Sequence, residues 1–221
     1  MATNFARGSE LAARSRKFKN KKILITAGPT WVPIDKVRVI SNIASGATGL
    51  LLADALCSLG AKVTLLLGPA NYCCLNKKIH IVRFAFFDEL KSFLIKELKQ
   101  NRFDYIIHSA AVSDFKAAKP TKGKLASGKA LNLKLLPLPK LAKGIRNLQP
   151  QSTLVLFKLE SGIRDAALIK RARNSLIKYK ADLVIANRID PRYKAFILNE
   201  DTIFCKVNSK QTLVKSLIRA L

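Results

Sequence analysis

Two stretches of the chain carry residues whose types and spacing suit a charged ligand. In GPTWVPIDKVRVISNIASGATG (28–49), Ser41-Asn42 and Ser45-Gly46 stand just ahead of an apolar run with helical periodicity. A helix entry offers free backbone N–H groups, so hydroxyl, carboxamide and glycine there make an anion site. Asn42 and Ser45 would also serve as ordinary helix caps. Capping does not account for the length, because this connection runs from Gly28 to Ala47 where such loops usually take about 2–6 residues. In HSAAVSDF (108–115), an apolar run ends in His108, Ser109, Ala110 and Ala111, with Asp114 beyond. Small residues at both places, Thr26-Ala27-Gly28 included, let backbone approach a ligand. Gly28, Gly46 and Gly49 do not spell GxGxxG, so the dinucleotide fingerprint is absent.

The elements that must position these residues follow from periodicity. Ile23–Ala27 reads as a buried parallel strand, Leu50–Leu59 as a helix closed by Gly60, and Lys62–Leu67 as a second strand. Together they form a βαβ unit with a right-handed crossover. Residues 69–78 read as a loop, Ile79–Phe84 as a third strand, and Asp88 as the cap of a helix with Leu90, Phe93, Leu94 and Leu98 in one stripe. Phe103–Ala111 is a fourth strand. Lys116–Lys129 alternates lysine with small residues and reads as a mobile surface flap. Leu131–Leu136 reads as a strand, Lys140–Leu148 as a short helix, and Leu154–Leu159 as a buried strand. Asp165–Lys178 is a helix with Ala166, Ile169, Ala172 and Leu176 inward. Asp182–Ala186 is a strand, 195–198 and 202–207 a hairpin, and Leu213–Leu221 a closing helix. The expected fold is Rossmann-like: three α/β/α layers on a mostly parallel sheet, with a small C-terminal hairpin. Residues 1–20 are expected to be a disordered basic arm, a transit peptide being the weaker alternative, and 21–221 a single domain.

The chain has 221 residues, with 40 Lys and Arg against 14 Asp and Glu, a formal charge of +26. Such an excess points to polyanionic partners or phosphorylated small molecules. The basic residues are spread over nearly every segment, without the aromatic interleaving of single-strand binders. Cys57, Cys73, Cys74 and Cys205 form no CxxC pair, which suits thiols in a reducing cytosol. No apolar run approaches the roughly 18–20 residues of a membrane span.

Five ordered blocks then say more than any one of them. GPTWVPIDKVRVISNIASGATG, HSAAVSDF, KGKLASGKALNLKL, FKLES and ADLVIAN together resemble phosphopantothenoylcysteine synthetase, over about residues 21–215. The resemblance implies a ligase of coenzyme A biosynthesis. In that reaction a nucleoside triphosphate, CTP in most bacterial members, activates the 4′-phosphopantothenate carboxylate with Mg²⁺, and cysteine then displaces the nucleotide. It implies Asn42 on the acyl-nucleotide intermediate and Arg38 on a substrate anion. Ala110 and Ala111, with Gly28, would lie under the ligand. Asp114 would contact the nucleotide, with Ser45, Gly46, His108 and Ser109 around it, and the flap Lys124 would reach the phosphates. Pro139, Lys140, Leu141, Ala142 and Phe157 would wall the base, with Phe157 stacking on it. His108 sits at a strand end like a general base, but the resemblance assigns it no catalytic part. Asn187 ends a strand at the site edge.

Three departures stand out. Ala47 occupies a position where the family has lysine, Ser175 another, with Lys178 the expected substitute ahead of Lys170 and Lys180. Arg188-Ile189 follows Asn187 where an acid-containing pair is usual. The resemblance further implies a homodimer, a cytoplasmic location and no flavin on this chain, with phosphopantothenoylcysteine decarboxylase on a separate polypeptide. The competing expectations are a polyanion- or nucleic-acid-binding protein on an impaired synthetase scaffold, and a nicotinamide-dependent reductase. The reductase is disfavoured by the missing GxGxxG and the missing Tyr-x-x-x-Lys pair.

Overall fold

The computed structural model describes residues 13–70, 76–128, 130–190 and 192–221. Its centre is an eight-stranded sheet. β1 (Lys22–Ala27) is flanked by β4 (Lys62–Leu67) and β6 (Tyr105–His108), with β5 (His80–Arg83) beyond β4, and β9 (Thr153–Glu160) and β10 (Leu183–Arg188) beyond β6. These six strands are parallel, and β11 (Lys194–Leu198) and β12 (Ile203–Val207) complete the sheet antiparallel. The hairpin expected near the C-terminus is therefore a continuation of the main sheet. Strands buried on both faces explain the continuous apolar runs such as Ile23-Leu24-Ile25.

Helices cover both faces. α1 (Ala47–Ser58) and α5 (Lys210–Ala220) pack against each other on one, over Ile25, Leu65, Ile107 and Ile185. α2 (Phe87–Gln100), α3 (Leu141–Leu148) and α4 (Asp165–Tyr179) lie on the other, over Leu24, Ile106, Leu156 and Val184. Alternate strand residues go to opposite helix layers, as the period of two requires. Three expectations need correction. In α4 the buried stripe is Leu168, Ala172 and Leu176, while Ala166 is exposed and Ile169 half-buried. An i, i+4, i+8 row covers the sheet without Ala166. The N-cap of α2 is Phe86 rather than Asp88, which lies inside the first turn; the Glu89 carboxylate reaches back to accept from Ala85 and Phe86 N–H at 2.7 and 3.0 Å. The strand expected over 131–136 shortens to β8 (Leu135–Pro137), paired with β7 (Phe115–Ala117) in a small exposed hairpin.

At the other end, residues 13–18 are helical and Phe18 is fully buried, its ring 5.7 Å from that of Tyr105. The core thus reaches back into the stretch expected to be an arm; residues 1–12 lie outside the described residues. Cys73 and Cys74 also lie outside them, and Cys57 and Cys205 are free thiols.

The strand order reverses between β4 and β6, on either side of β1. Open α/β sheets form a crevice at such a switch point, at the carboxyl ends of the strands. Here the loops leaving β1 and β6 stay joined past the sheet edge. Ala111 N–H donates to Gly28 O at 2.9 Å, Pro29 bridges Ala111, and the buried Thr30 and Ser113 hydroxyls bond at 3.0 Å. The long first connection is consequently ordered: it carries a hairpin, β2 (Trp31–Pro33) and β3 (Val39–Ser41), braced by Trp31 packed edge-on against Phe86.

Candidate active site

A cleft of about 1680 Å³ follows the switch point along the carboxyl edge of β1, β6, β9 and β10. From the first connection it takes Gly28, Asn42, Ser45 and Gly46, and from the end of β6 His108, Ser109, Ala110, Ala111 and Asp114. Pro139, Lys140, Leu141 and Ala142 at the start of α3, Phe157 on β9 and Lys178 on α4 complete the expected set that gathers here. Two expected residues are placed elsewhere: Arg38 and Lys124 do not line the cleft.

Glycine is required where α1 enters. Gly46 has φ +71°, and a Cβ on it would lie 3.3 Å from the Gly28 backbone. At Gly49 a Cβ would sit 2.4 Å from Ala27 Cβ, so this position holds α1 tight against β1. Neither Asn42 nor Ser45 acts as a strong cap: α1 has no side-chain cap, and Ser45 Oγ receives only a long 3.4 Å contact from Ala47 N–H. Asn42 instead spans the crevice. Its Nδ2 donates to Ala111 O at 3.1 Å and Val112 O at 3.2 Å, which occupies both amide hydrogens. Donation to a ligand oxygen therefore requires exchange of one of these bonds, which the sequence did not reveal.

His108 is buried and bonds through Nδ1 to Thr26 Oγ1 at 2.8 Å. Thr26 Oγ1 accepts from Ala110 N–H, leaving its proton for the imidazole. Burial lowers the His108 pKa to about 4, so the ring is neutral near pH 7 and braces the β1–β6 junction. Arg38 serves as a buckle. The buried Asp35 carboxylate accepts from Val37 and Arg38 N–H, from the Arg38 guanidinium at 2.5 Å and from Leu125 N–H at 3.0 Å. Arg38 also donates to Leu125 O, and Thr121 N–H to Ile34 O. The flap expected to be mobile is thus tied at Thr121 and Leu125 to the β2–β3 connection, with Lys124 exposed between the ties. The Leu125 N–H bond, with those of Val37 and Arg38, outweighs burial and holds the Asp35 pKa at about 2.

The cleft has two sides, because β9 and β10 send alternate residues to opposite faces. On the α4 side, Glu160 is held by Lys158 at 3.0 Å and Arg171 at 2.7 Å, and Lys140 pairs with Asp114. Burial pushes the Glu160 carboxyl up, but its bonds and charge interactions with Lys158 and Arg171 leave it below its ordinary value. Lys178 lines this wall beside Ser175, whereas Lys170 and Lys180 do not. Arg171 was missed in the sequence, although it lies four and seven residues before Ser175 and Lys178 on one helix face. On the α1–α5 side stand Phe157, Asn187, Tyr193 and Lys210, the last two again missed. Phe157 packs with the core of this side, while Leu141 and Ala142 pack with the opposite core. The Phe157 ring and the Pro139–Ala142 segment thus rest on different cores while lining the same cleft.

Among the described residues no group of three His, Cys, Asp or Glu side chains is placed to hold a metal ion. The two carboxylates in the cleft, Asp114 and Glu160, are both ion-paired. These residues do not form a protein-held magnesium site; Mg²⁺ of the kind the resemblance implies would be held mainly by ligand phosphates. No helix among the described residues is long and apolar enough to cross a membrane.

Comparison with known proteins agrees with this fold. The chain is 33% identical over 189 residues to the coenzyme A biosynthesis bifunctional protein CoaBC of Thermococcus kodakarensis, covering 85% of this chain and 45% of that protein. The corresponding protein of Methanocaldococcus jannaschii is 36% identical over 189 residues, covering 83% and 44%. The chain thus spans somewhat under half the length of these relatives. Among solved structures, the DNA/pantothenate metabolism flavoprotein from Streptococcus pneumoniae superposes with a TM-score of 0.81 at 25% identity, covering 90% of this chain and 97% of that one. The C-terminal domain of CoaBC shares the fold at a TM-score of 0.76 and 22% identity, covering 92% and 94%. Residues 18–218 match the family described as the DNA/pantothenate metabolism flavoprotein C-terminal domain, and the chain belongs to that family.

Proposed function

We propose that this protein is a phosphopantothenate–cysteine ligase of coenzyme A biosynthesis that works through an acyl-nucleotide, with CTP favoured over ATP. A carboxylate oxygen of 4′-phosphopantothenate attacks the α-phosphorus, and the bond to the bridging oxygen of the β-phosphate breaks to release pyrophosphate. The cysteine amine then attacks the acyl carbon, loses a proton and expels the nucleoside monophosphate. The chain's task is to converge anions and stabilise the charge that moves onto bridging oxygens.

The observation that carries this reading is the position of Asn42, bonded across the crevice to Ala111 and Val112 beside the small residues Gly28 and Ala110. An acyl group lying on that backbone would take over one amide hydrogen of Asn42, trading the 3.2 Å bond to Val112 for one to the acyl oxygen. Asp114 with Lys140 would meet the nucleotide, Lys178 and Arg171 its phosphates, and Lys124 would reach in from the flap. Magnesium would accompany the triphosphate. We further propose a homodimer, supported by the exposed apolar residues of the two small hairpins, Val37, Val39, Phe115, Leu135 and Leu136. A cytoplasmic location goes with the ligase reading.

The test is pyrophosphate release and amide formation by purified protein with Mg²⁺, 4′-phosphopantothenate and cysteine, comparing CTP with ATP. Release should require phosphopantothenate, and Asn42→Ala should lower amide formation by roughly 100-fold or more. No release with either nucleotide, from folded protein, overturns the reading and favours a polyanion-binding role for the +26 surface.

A further inference from the structure

The α1–α5 side of the cleft holds polar groups that the fold does not use. Tyr193 Oη and Asn187 Oδ1 are buried without a hydrogen-bond partner among the described residues. Native proteins pair nearly all such groups, and an unmade bond destabilises the folded state, so an orphan beside an open cleft points to a ligand.

Their placement follows from register. Phe157 pairs with Ile185, so Asn187, two residues on, is its diagonal neighbour on the same face. Asn187 pairs with Ala195, and Tyr193, two residues before Ala195, again lies diagonally on that face. Ala195 pairs with Val207, after which the chain turns over the same edge to start α5 at Lys210. Phe157, Asn187, Tyr193 and Lys210 thus form one row along the rim, and all four line the cleft. No hydrogen bond or ion pair holds the Lys210 ammonium among the described residues. The two carboxylates lining the cleft are engaged elsewhere, Glu160 by Lys158 and Arg171 and Asp114 by Lys140.

We infer that Tyr193, Lys210 and Asn187 form a phosphate-binding subsite at the far end of the cleft from Asn42. Tyr193 donates its hydroxyl hydrogen, Lys210 supplies the charge, and the Asn187 carboxamide turns to present its NH₂. Burial raises the Tyr193 pKa to about 12, so the hydroxyl stays a donor throughout the neutral range. Three strand spacings of about 4.8 Å separate β6 from β11, so the subsite lies roughly 14 Å from the Asn42 crevice. An extended ligand with its reacting atom at Asn42 can span that gap. The phosphate belongs either to the polyphosphate of a nucleotide or to the phosphomonoester of the acyl substrate. The identity of the ligand rests on the ligase reading; the location of the subsite does not.

The experiment is calorimetric titration at fixed ionic strength of the whole chain and its Tyr193→Phe, Lys210→Gln and Lys215→Gln variants. The probes are inorganic pyrophosphate, CTP and 4′-phosphopantothenate. Tyr193→Phe and Lys210→Gln should each weaken pyrophosphate roughly ten-fold. They should weaken CTP or phosphopantothenate similarly, and the ligand affected identifies the source of the phosphate. Lys215→Gln, on an exposed position of the same helix, should change nothing. Tyr193→Phe should leave the melting temperature unchanged or raised, because it removes an unpaired hydroxyl. The inference is overturned if pyrophosphate binds both site variants as it binds the parent, if Lys215→Gln weakens it equally, or if Tyr193→Phe lowers the melting temperature by several degrees. Should the binding pattern hold while the parent forms no amide, the ligase reading fails and the subsite stands.

Discussion

The two sides of the cleft solve the problem of presenting charge in opposite ways. On the α4 side most of the charged groups are already partnered: Glu160 pairs with both Lys158 and Arg171, and Lys140 holds Asp114. A ligand there must compete with internal ion pairs. On the α1–α5 side Tyr193 Oη and Asn187 Oδ1 have no partner among the described residues, so an acceptor that meets the Tyr193 hydroxyl displaces no internal bond. The paired side suits selectivity and reversible charge handling; the unpaired side suits anchoring. A fold can carry a few unpaired groups where binding repays them.

Experiments can break this contrast, beginning with pH. His108, bonded to Thr26 on the paired side, has its pKa lowered from the ordinary 6.5 to about 4 by burial. Its folded pKa lies below its unfolded one, so its contribution is complete above about pH 6.5 and is lost as pH falls through 4. Denaturant unfolding should show a loss on the order of 3 kcal/mol across that window. His108→Gln should flatten that dependence, and an unchanged slope would refute the assignment. Next in size is Gly49→Ala, which forces α1 away from β1 beneath the unpaired side. Overpacking of about 2 kcal/mol should lower the melting temperature. If the melting temperature holds, the close approach of α1 to β1 is not tight.

The flap gives a local effect. Asp35→Ala should speed amide exchange at Thr121 and Leu125 at least about ten-fold while the core strands stay protected. Asp35 is lowered to about 2 chiefly by the Leu125 N–H, so the wild-type tie should persist as pH drops below 3.8 and release only as it passes through 2. Equal exchange in the variant would mean the flap is held by something else. Smallest is Glu160→Gln, which frees Lys158 and Arg171 and should tighten nucleotide binding by about three-fold at low salt, with a steeper salt dependence. Weaker binding would show that Glu160 positions these cations rather than masking them.

The chain's order of strands and helices was legible because the buried strands are apolar runs and the helices carry stripes. Ile23–Ala27, Lys62–Leu67 and the helix from Asp165 were all readable in this way. The gathering of Asn42, Ala110, Ala111 and Asp114 was legible from ordered motifs. What Asn42 does with its hydrogens was not, since Ala111 O and Val112 O lie 69 and 70 residues away. Nor was the placement of Arg38 visible: an arginine near a loop reads the same whether it lines the cleft or bonds a flap beside Asp35.

The sequence by itself determined the parallel α/β frame and the family, because both depend on local periodicity and on short motifs that survive without knowledge of contacts. Only the tertiary structure decided which side of the sheet each functional residue serves. Phe157 and Lys158 are neighbours in the chain yet line opposite walls, and Tyr193 and Lys210 reach the cleft through the register of β10, β11 and β12. A strand's side chains alternate with a period of two, so face and partner are fixed by pairing across the sheet, which no local stretch of sequence encodes.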